Sequence, residues 1–161
     1  YEMGGGATMD LGCYPLHMAR HVLGEEPEVM ESVAEVGPPD VDVDLRARLQ
    51  FPSGAEAEIS CSMKKGAQFS MEFEAEGEKG RLYAMNPLAP HAGNRLDLDV
   101  EGNHTSESIA GRSTYFHQLE AFVRAVENGE AVPTGVEDAV LNMKALDAIY
   151  LAAGLKLRGL Q

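Results

Sequence analysis

The sequence predicts an α+β fold: an open, mostly antiparallel sheet of about six strands with helices packed on one face. Three observations point there. An early segment spaces its polar residues at helical intervals, a middle stretch alternates apolar and polar residues, and the tail carries two apolar stripes of helical period. A chain of 161 residues, 44% of them hydrophobic and 24% charged, suits one domain around a single core. No internal repeat or low-complexity tract interrupts it.

The first helix is expected over Thr8–Leu23, closing at Gly24, a natural end residue. Leu11, Met18, Ala19, Val22 and Leu23 give it an apolar side. Pro15 opposes this reading, because an interior proline removes a hydrogen bond and bends the axis. A start near Pro15 is the alternative, since proline suits a first turn. Three strands follow by strict alternation. Leu45, Ala47, Leu49 and Phe51 stand against Arg46, Arg48 and Gln50; Ala55, Ala57, Ile59, Cys61 and Met63 form the second set; Phe69, Met71, Phe73 and Ala75 oppose Ser70, Glu72, Glu74 and Glu76. "FPSGA" is the turn between the first two. "VMESVAEV", "GRLYAM" and "RLDLDV" are weaker strand segments, and 86–94 is expected to be an irregular loop. In "STYFHQLEAFVRAVENG", Phe116, Leu119, Phe122, Val123 and Val126 share a side. The last helix opens with Thr134 and Glu137, spaced as a capping box, carries Val140, Met143, Leu146, Ile149 and Ala153 inward, and ends at Gly154. Both closing helices are expected to cover the apolar sheet face.

Charge excludes some classes of function. The formal net charge is −13 and basic residues never cluster beyond a pair, so nucleic acid and anionic membrane surfaces are not expected partners. No apolar run is long enough to span a bilayer. Cys13 and Cys61 stand far apart in apolar patterns with no CxxC pair, which implies small buried hydrophobes and a reducing, cytoplasmic setting. The acidic run "EFEAEGE" is the solvent face of a strand, or else an interface face paired with Arg46 and Arg48 on adjacent strands. An open sheet with an uncovered face suggests a homo-oligomer. The opening Tyr1-Glu2-Met3 is neither initiator nor leader, so a piece of a longer chain is expected.

The candidate chemistry lies in "MDLGCYPLHMARH". At about 100° per residue, Asp10, Tyr14, His17 and His21 fall within roughly sixty degrees of one another on a helix. Such a stripe is a solvated face, a metal site built from His17, His21 and Asp10, or one wall of an active site. The metal reading lacks a recognisable third ligand and base close by, and no metal site is assigned. The active-site reading uses Asp10 and Tyr14, one turn apart, to accept a proton and orient a hydroxyl. A phenol with a reference pKa near 10 needs a neighbouring cation before it can act as a base at neutral pH. The "GGGAT" lead-in fails the dinucleotide fingerprint, because Met9 stands where a third glycine belongs and no strand precedes it. Its glycines let backbone pass close to a helix or a ligand.

"GGGATMDLGCYPLHMARHVLGEEP" resembles the segment that opens the C-terminal domain of the glucose-fructose oxidoreductase / inositol dehydrogenase / MocA family, and "YFHQLEAFVRAVENGE" and "EDAVLNMKALDAIYLAAG" resemble its closing helices. The likeness implies that residues 1–161 form the substrate-binding and oligomerising domain of an NAD(P)-dependent oxidoreductase. Such an enzyme acts on a sugar, cyclitol or related polyol by hydride transfer. It further implies an N-terminal Rossmann domain, absent from this sequence, that binds most of the NAD or NADP and supplies a catalytic lysine. This chain alone is then expected to be inactive. Asp10 falls on the family's aspartate. Tyr14 falls where many members carry the catalytic histidine and some branches carry tyrosine. His17 falls where an aspartate often touches substrate; the glycines Gly4 to Gly6 would let the helix start approach the cofactor-side crevice, with Gly5 and Gly6 as the cofactor-binding candidates. The alternative implied function is a non-catalytic binding or assembly module of the same descent.

Overall fold

The structure, a computed structural model, describes residues 5–38 and 40–157. Its chain divides into two compact units: residues up to Ala67 together with those from Thr134 onward, and residues Gln68–Pro133.

In the first unit a π-helical turn, Thr8–Gly12, runs directly into helix α1, Cys13–Leu23, which stops at Gly24 in the left-handed conformation. This is the earlier of the two expected starts. The wider π turn ends just ahead of Pro15, so the proline ring falls in the first turn of the α-helical part, where its missing N–H costs little. Strands β1 (Glu28–Gly37), β2 (Val41–Gln50) and β3 (Glu56–Ser62) form an antiparallel sheet in that order. The Phe51 amide donates to the Ala55 carbonyl at 2.9 Å across the "FPSGA" turn. Helix α2, Thr114–Asn128, belongs to the other unit; helix α3, Val136–Ala152, completes this one.

The core is the apolar sheet face closed by two helices. Leu45, Ala47, Leu49 and Phe51 from β2 and its end, with Ile59 from β3, pack against Leu16 and Ala19 of α1 and Ala145, Leu146 and Ile149 of α3. Tyr150 is also fully buried. Leu146 and Ile149 therefore face inward as expected, but Val140 and Met143 are exposed. The stripe is rotated because its N-terminal half is polar: Asp138 and Asn142, not Val140 and Met143, turn towards α1. The expected capping box does not form either. The helix starts one residue later, with Gly135 as N-cap and no side-chain cap, so Thr134 lies outside it.

Two bulges break the alternation. Met30 is an extra residue in β1, and Val43 is an extra residue in β2, where Glu35 pairs with Asp44 but Val36 pairs with Asp42. The second bulge reverses the side-chain phase at the start of β2 and turns Asp42 into the interior. Gly37 lies opposite, and a Cβ there would stand only 2.7 Å from a Val43 methyl, so the bulged strand needs glycine beside it.

The second unit holds a four-stranded antiparallel sheet, β4 (Glu72–Gly77), β5 (Gly80–Met85), β6 (Arg95–Val100) and β7 (Asn103–Glu107), followed by α2, Thr114–Asn128. The strands therefore form two sheets of three and four instead of one of about six. A Lys64–Ala67 turn separates β3 from β4, and β4 starts at Glu72, leaving Phe69 exposed. β7, all polar and exposed, carries no alternation that would have announced it. The 86–94 loop is irregular as expected, holding one 3-10 turn and pinned by Asn86 bonds to the Ala89 and Gly93 carbonyls. Helix α2 begins at a Ser113 cap that accepts from the Phe116 amide, and ends at Gly129. None of its residues is buried: Leu119, Phe122 and Val126 are exposed; within the first unit the helices packed on the sheet are α1 and α3.

β4 pairs with β5 and not with the strand that carries Arg46 and Arg48. Glu74 pairs with Arg81 of β5, while Arg48 lies between Glu31 and Glu56 of its own sheet. These exposed pairs add little stability.

Leu146 is fully buried where α3 meets the sheet. Leu146→Ala is expected to lower stability by about 2–5 kcal/mol, measured by urea unfolding as a lower midpoint with an unchanged slope.

Candidate functional site

The start of the site helix is held from a distance. The Thr8 amide, one of the donors that a helix N-terminus leaves unpaired, donates to Oδ2 of buried Asp42 at 2.6 Å, and the Tyr150 hydroxyl donates to Oδ1 at 3.1 Å. One carboxylate thus joins α1, β2 and α3. A negative group suits the positive end of a helix, and fully buried it needs such donors.

Further along, Arg20 emerges from the inner side of α1 and is almost fully buried. Its Nε and Nη2 fork onto the two oxygens of Glu26 at 2.8 Å each, and its Nη1 reaches Asn142 Oδ1 and Asp138 Oδ1, each at 3.1 Å. Asn142 Nδ2 returns to the Cys13 carbonyl at 3.4 Å. These bonds lock α1 to α3 and fix which face of α1 is turned outward.

That outward face carries the expected residues. Asp10 and Tyr14 are exposed, Tyr14 at 47%; His17 is half-buried and His21 exposed. The rings of His17 and His21 stack, with centroids 5.9 Å apart and planes 25° from parallel. His17 Nδ1 lies 3.5 Å from Asp138 Oδ2. Gly5 and Gly6 precede the helix, and the Gly6 carbonyl accepts from the Asp10 amide at 3.1 Å; Gly4 lies outside the described residues. Surface depressions lie on the β4–β6 strands and on β1–β2; in the row itself Asp10, Tyr14 and His21 are exposed. Among the described residues no three His, Cys, Asp or Glu side chains gather as a metal site would require.

The cysteines flank the row from inside. Desolvation pushes the Cys61 thiol up to about 11, and desolvation, followed by the nearby Asp10 carboxylate, raises Cys13. Neither is a thiolate nucleophile at neutral pH.

Sequence reasoning missed Asp42, Arg20, Glu26, Asp138 and Asn142. Arg20 did leave a signal. It lies four residues after Leu16 and three before Leu23, on the side that packs inward, where a charged residue requires a buried partner. Asp42 left none, because alternation from Leu45 places it on the polar face.

With this architecture described, the class is settled by comparison: the chain belongs to the GFO/IDH/MocA C-terminal domain family, whose family model matches residues 1–83. Among individual proteins it is 32% identical over 155 residues to D-xylose 1-dehydrogenase (NADP(+)) 2 of Haloferax volcanii, covering 94% of this chain and 47% of that protein. It is 28% identical over 151 residues to myo-inositol 2-dehydrogenase of Thermotoga maritima, covering 85% and 43%. The crystal structure of aldose-aldose oxidoreductase from Caulobacter crescentus, complexed with glycerol, shares the fold with a TM-score of 0.82 at 24% identity, covering 93% of this chain and 46% of that one. The chain thus spans about half the length of the curated relatives it matches. No helix among the described residues is long and apolar enough to cross a membrane.

At pH 8 Cys61 is expected to alkylate with iodoacetamide about a hundredfold more slowly than a free thiol, the two-unit rise from 9.0 to about 11 alone accounting for this. The rate should climb about tenfold per pH unit until about 11, followed by mass spectrometry of the Cys61 peptide.

Proposed function

We propose that this chain is the substrate-binding and oligomerising domain of an NAD(P)-dependent oxidoreductase acting on a sugar, cyclitol or related polyol, working with a Rossmann domain outside the sequence. The observation that carries the reading is the row of exposed Asp10 and Tyr14 and half-buried His17 on the outward side of α1, in a chain of this family. Relatives named as xylose and inositol dehydrogenases support the substrate class, and the NADP(+) in the former's name supports the cofactor.

The residues present fit a supporting role toward a nicotinamide and no more. Gly6 takes a φ of 136°, open only to glycine, and is itself buried; nothing stands within 4 Å of a Cβ placed on half-buried Gly5, so approach of a flat ring to this backbone is at Gly5. A bound nicotinamide supplies the site that accepts or gives the hydride. Tyr14 exchanges the hydroxyl proton, Asp10 holds a second hydroxyl or positions the incoming lysine, and His17 contacts the substrate. A phenol does this near neutral pH only beside a cation. Arg20 is committed to Glu26, Asp138 and Asn142, so the cation comes from the nucleotide-binding half. Oligomers form through the outer sheet surface of the first unit, where Met30, Val33 and Val36 are exposed. The site of action is the cytoplasm.

Tyr14→Phe in the full-length enzyme is expected to reduce kcat/KM by about 10²–10⁴ with the fold retained. Steady-state oxidation of D-xylose or myo-inositol, followed by NAD(P)H absorbance, reads it. An unchanged value removes Tyr14 from the mechanism.

A further inference from the structure

Asp138 has no part in the reading above, yet among the described residues it is the acidic side chain that touches both the buried bracket and the row. It sits in the first turn of α3, with Oδ1 3.1 Å from Arg20 Nη1 and Oδ2 3.5 Å from His17 Nδ1. Arg20 cannot follow it outward. Its side chain is only 4% exposed, with Nε and Nη2 both fixed by Glu26 and Nη1 shared with Asn142. Asp138 is therefore a carboxylate anchored on an immobile cation. Glu26 takes Nε and Nη2 of that cation through two charge-assisted bonds, so Asp138 meets it through Oδ1 alone and its Oδ2 is turned to its other neighbour.

That neighbour is His17. At 3.5 Å the contact is longer than a well-formed N–H···O bond, but it favours a proton on Nδ1 over a lone pair there, and which imidazole nitrogen holds the proton is decided by such a partner. His21 stacks against the same ring and limits its rotation.

We infer that Asp138 is a positioning residue for the site: anchored by Arg20, it holds His17 with Nδ1–H turned towards α3 and Nε2 free as an acceptor for a substrate hydroxyl. The inference rests on the reading of His17 as a substrate contact. Asp138 itself touches no substrate. The specificity it confers is for a hydroxyl that donates to Nε2, which suits a polyol.

Two measurements test it. The first uses this chain labelled with ¹⁵N-histidine, in long-range ¹H–¹⁵N spectra at about pH 8.5, well above the ordinary imidazole range. His17 is expected as the Nδ1–H tautomer, to revert to Nε2–H in Asp138→Ala, and to recover in Asp138→Glu. An Nε2–H tautomer in the unmodified chain overturns the inference without any variant having to fold. So does a tautomer that ignores Asp138→Ala. The second is kinetic, in the full-length enzyme with D-xylose or myo-inositol. Asp138→Ala should raise KM by about threefold to tenfold and leave kcat within about twofold, as loss of a uniform binding contact does, with Asp138→Glu restoring KM. An unchanged KM overturns the role. The two readings fail separately, because control of the His17 tautomer by Asp138 is read without turnover and independently of Tyr14→Phe.

Discussion

The carboxylate of Asp42 is the constraint on which the site depends. It is completely buried and accepts from the first amide of the site helix and from the Tyr150 hydroxyl of α3. An interior carboxylate without donors is very unfavourable, so the three elements that meet there are held to one mutual arrangement. The entry of the chain into α1, and with it the rotation of Asp10 and Tyr14 about the helix axis, follows from that arrangement. The bulge at Val43 is what delivers Asp42 to the spot, and Gly37 is what leaves room for the bulge.

A second polar junction, around Arg20, lies further along the same helix pair. Between the two junctions lies the apolar cluster of Leu16, Ala19, Leu45, Leu49 and Leu146. The division of labour is a physical one. Apolar burial supplies most of the stabilisation but tolerates small rotations of a helix, whereas a forked guanidinium or a two-donor carboxylate does not. Helix α1 is thus stabilised by its inner stripe and indexed by its polar contacts. The π turn fits the same picture. It places Pro15 in a first α-helical turn, so a residue that would otherwise break the helix leaves the row continuous.

Asp10, Tyr14 and His21 of the row are exposed, and this bears on what kind of site it can be. A carboxylate, a phenol and an imidazole in water do little chemistry, because water competes for every hydrogen bond and screens every charge. Their value comes when a second body closes over them and lowers the local dielectric. The chain spans about half the length of the curated relatives it matches, and the proposed function uses the row in that way, as one side of a shared site. The raised thiols of Cys13 and Cys61 belong to the inner side, where both pack against the core.

Local pattern by itself determined the first helix and its end at Gly24, the strands that alternate, the Phe51–Ala55 turn and the identity of the exposed row. Each depends only on period, on a glycine or on a proline within a few residues. Tertiary contacts decided the rest. The stripe of α3 rotated to bring Asp138 and Asn142 to Arg20, because a buried cation outweighs the burial of Val140 and Met143. Asp42 went inward against its own alternation, because a single extra residue in one strand reverses the phase, and no count of apolar and polar positions records where that residue will be accommodated. β7 exists only because β6 offers it a row of backbone partners, and the side chains of "NHTSE" say nothing of that.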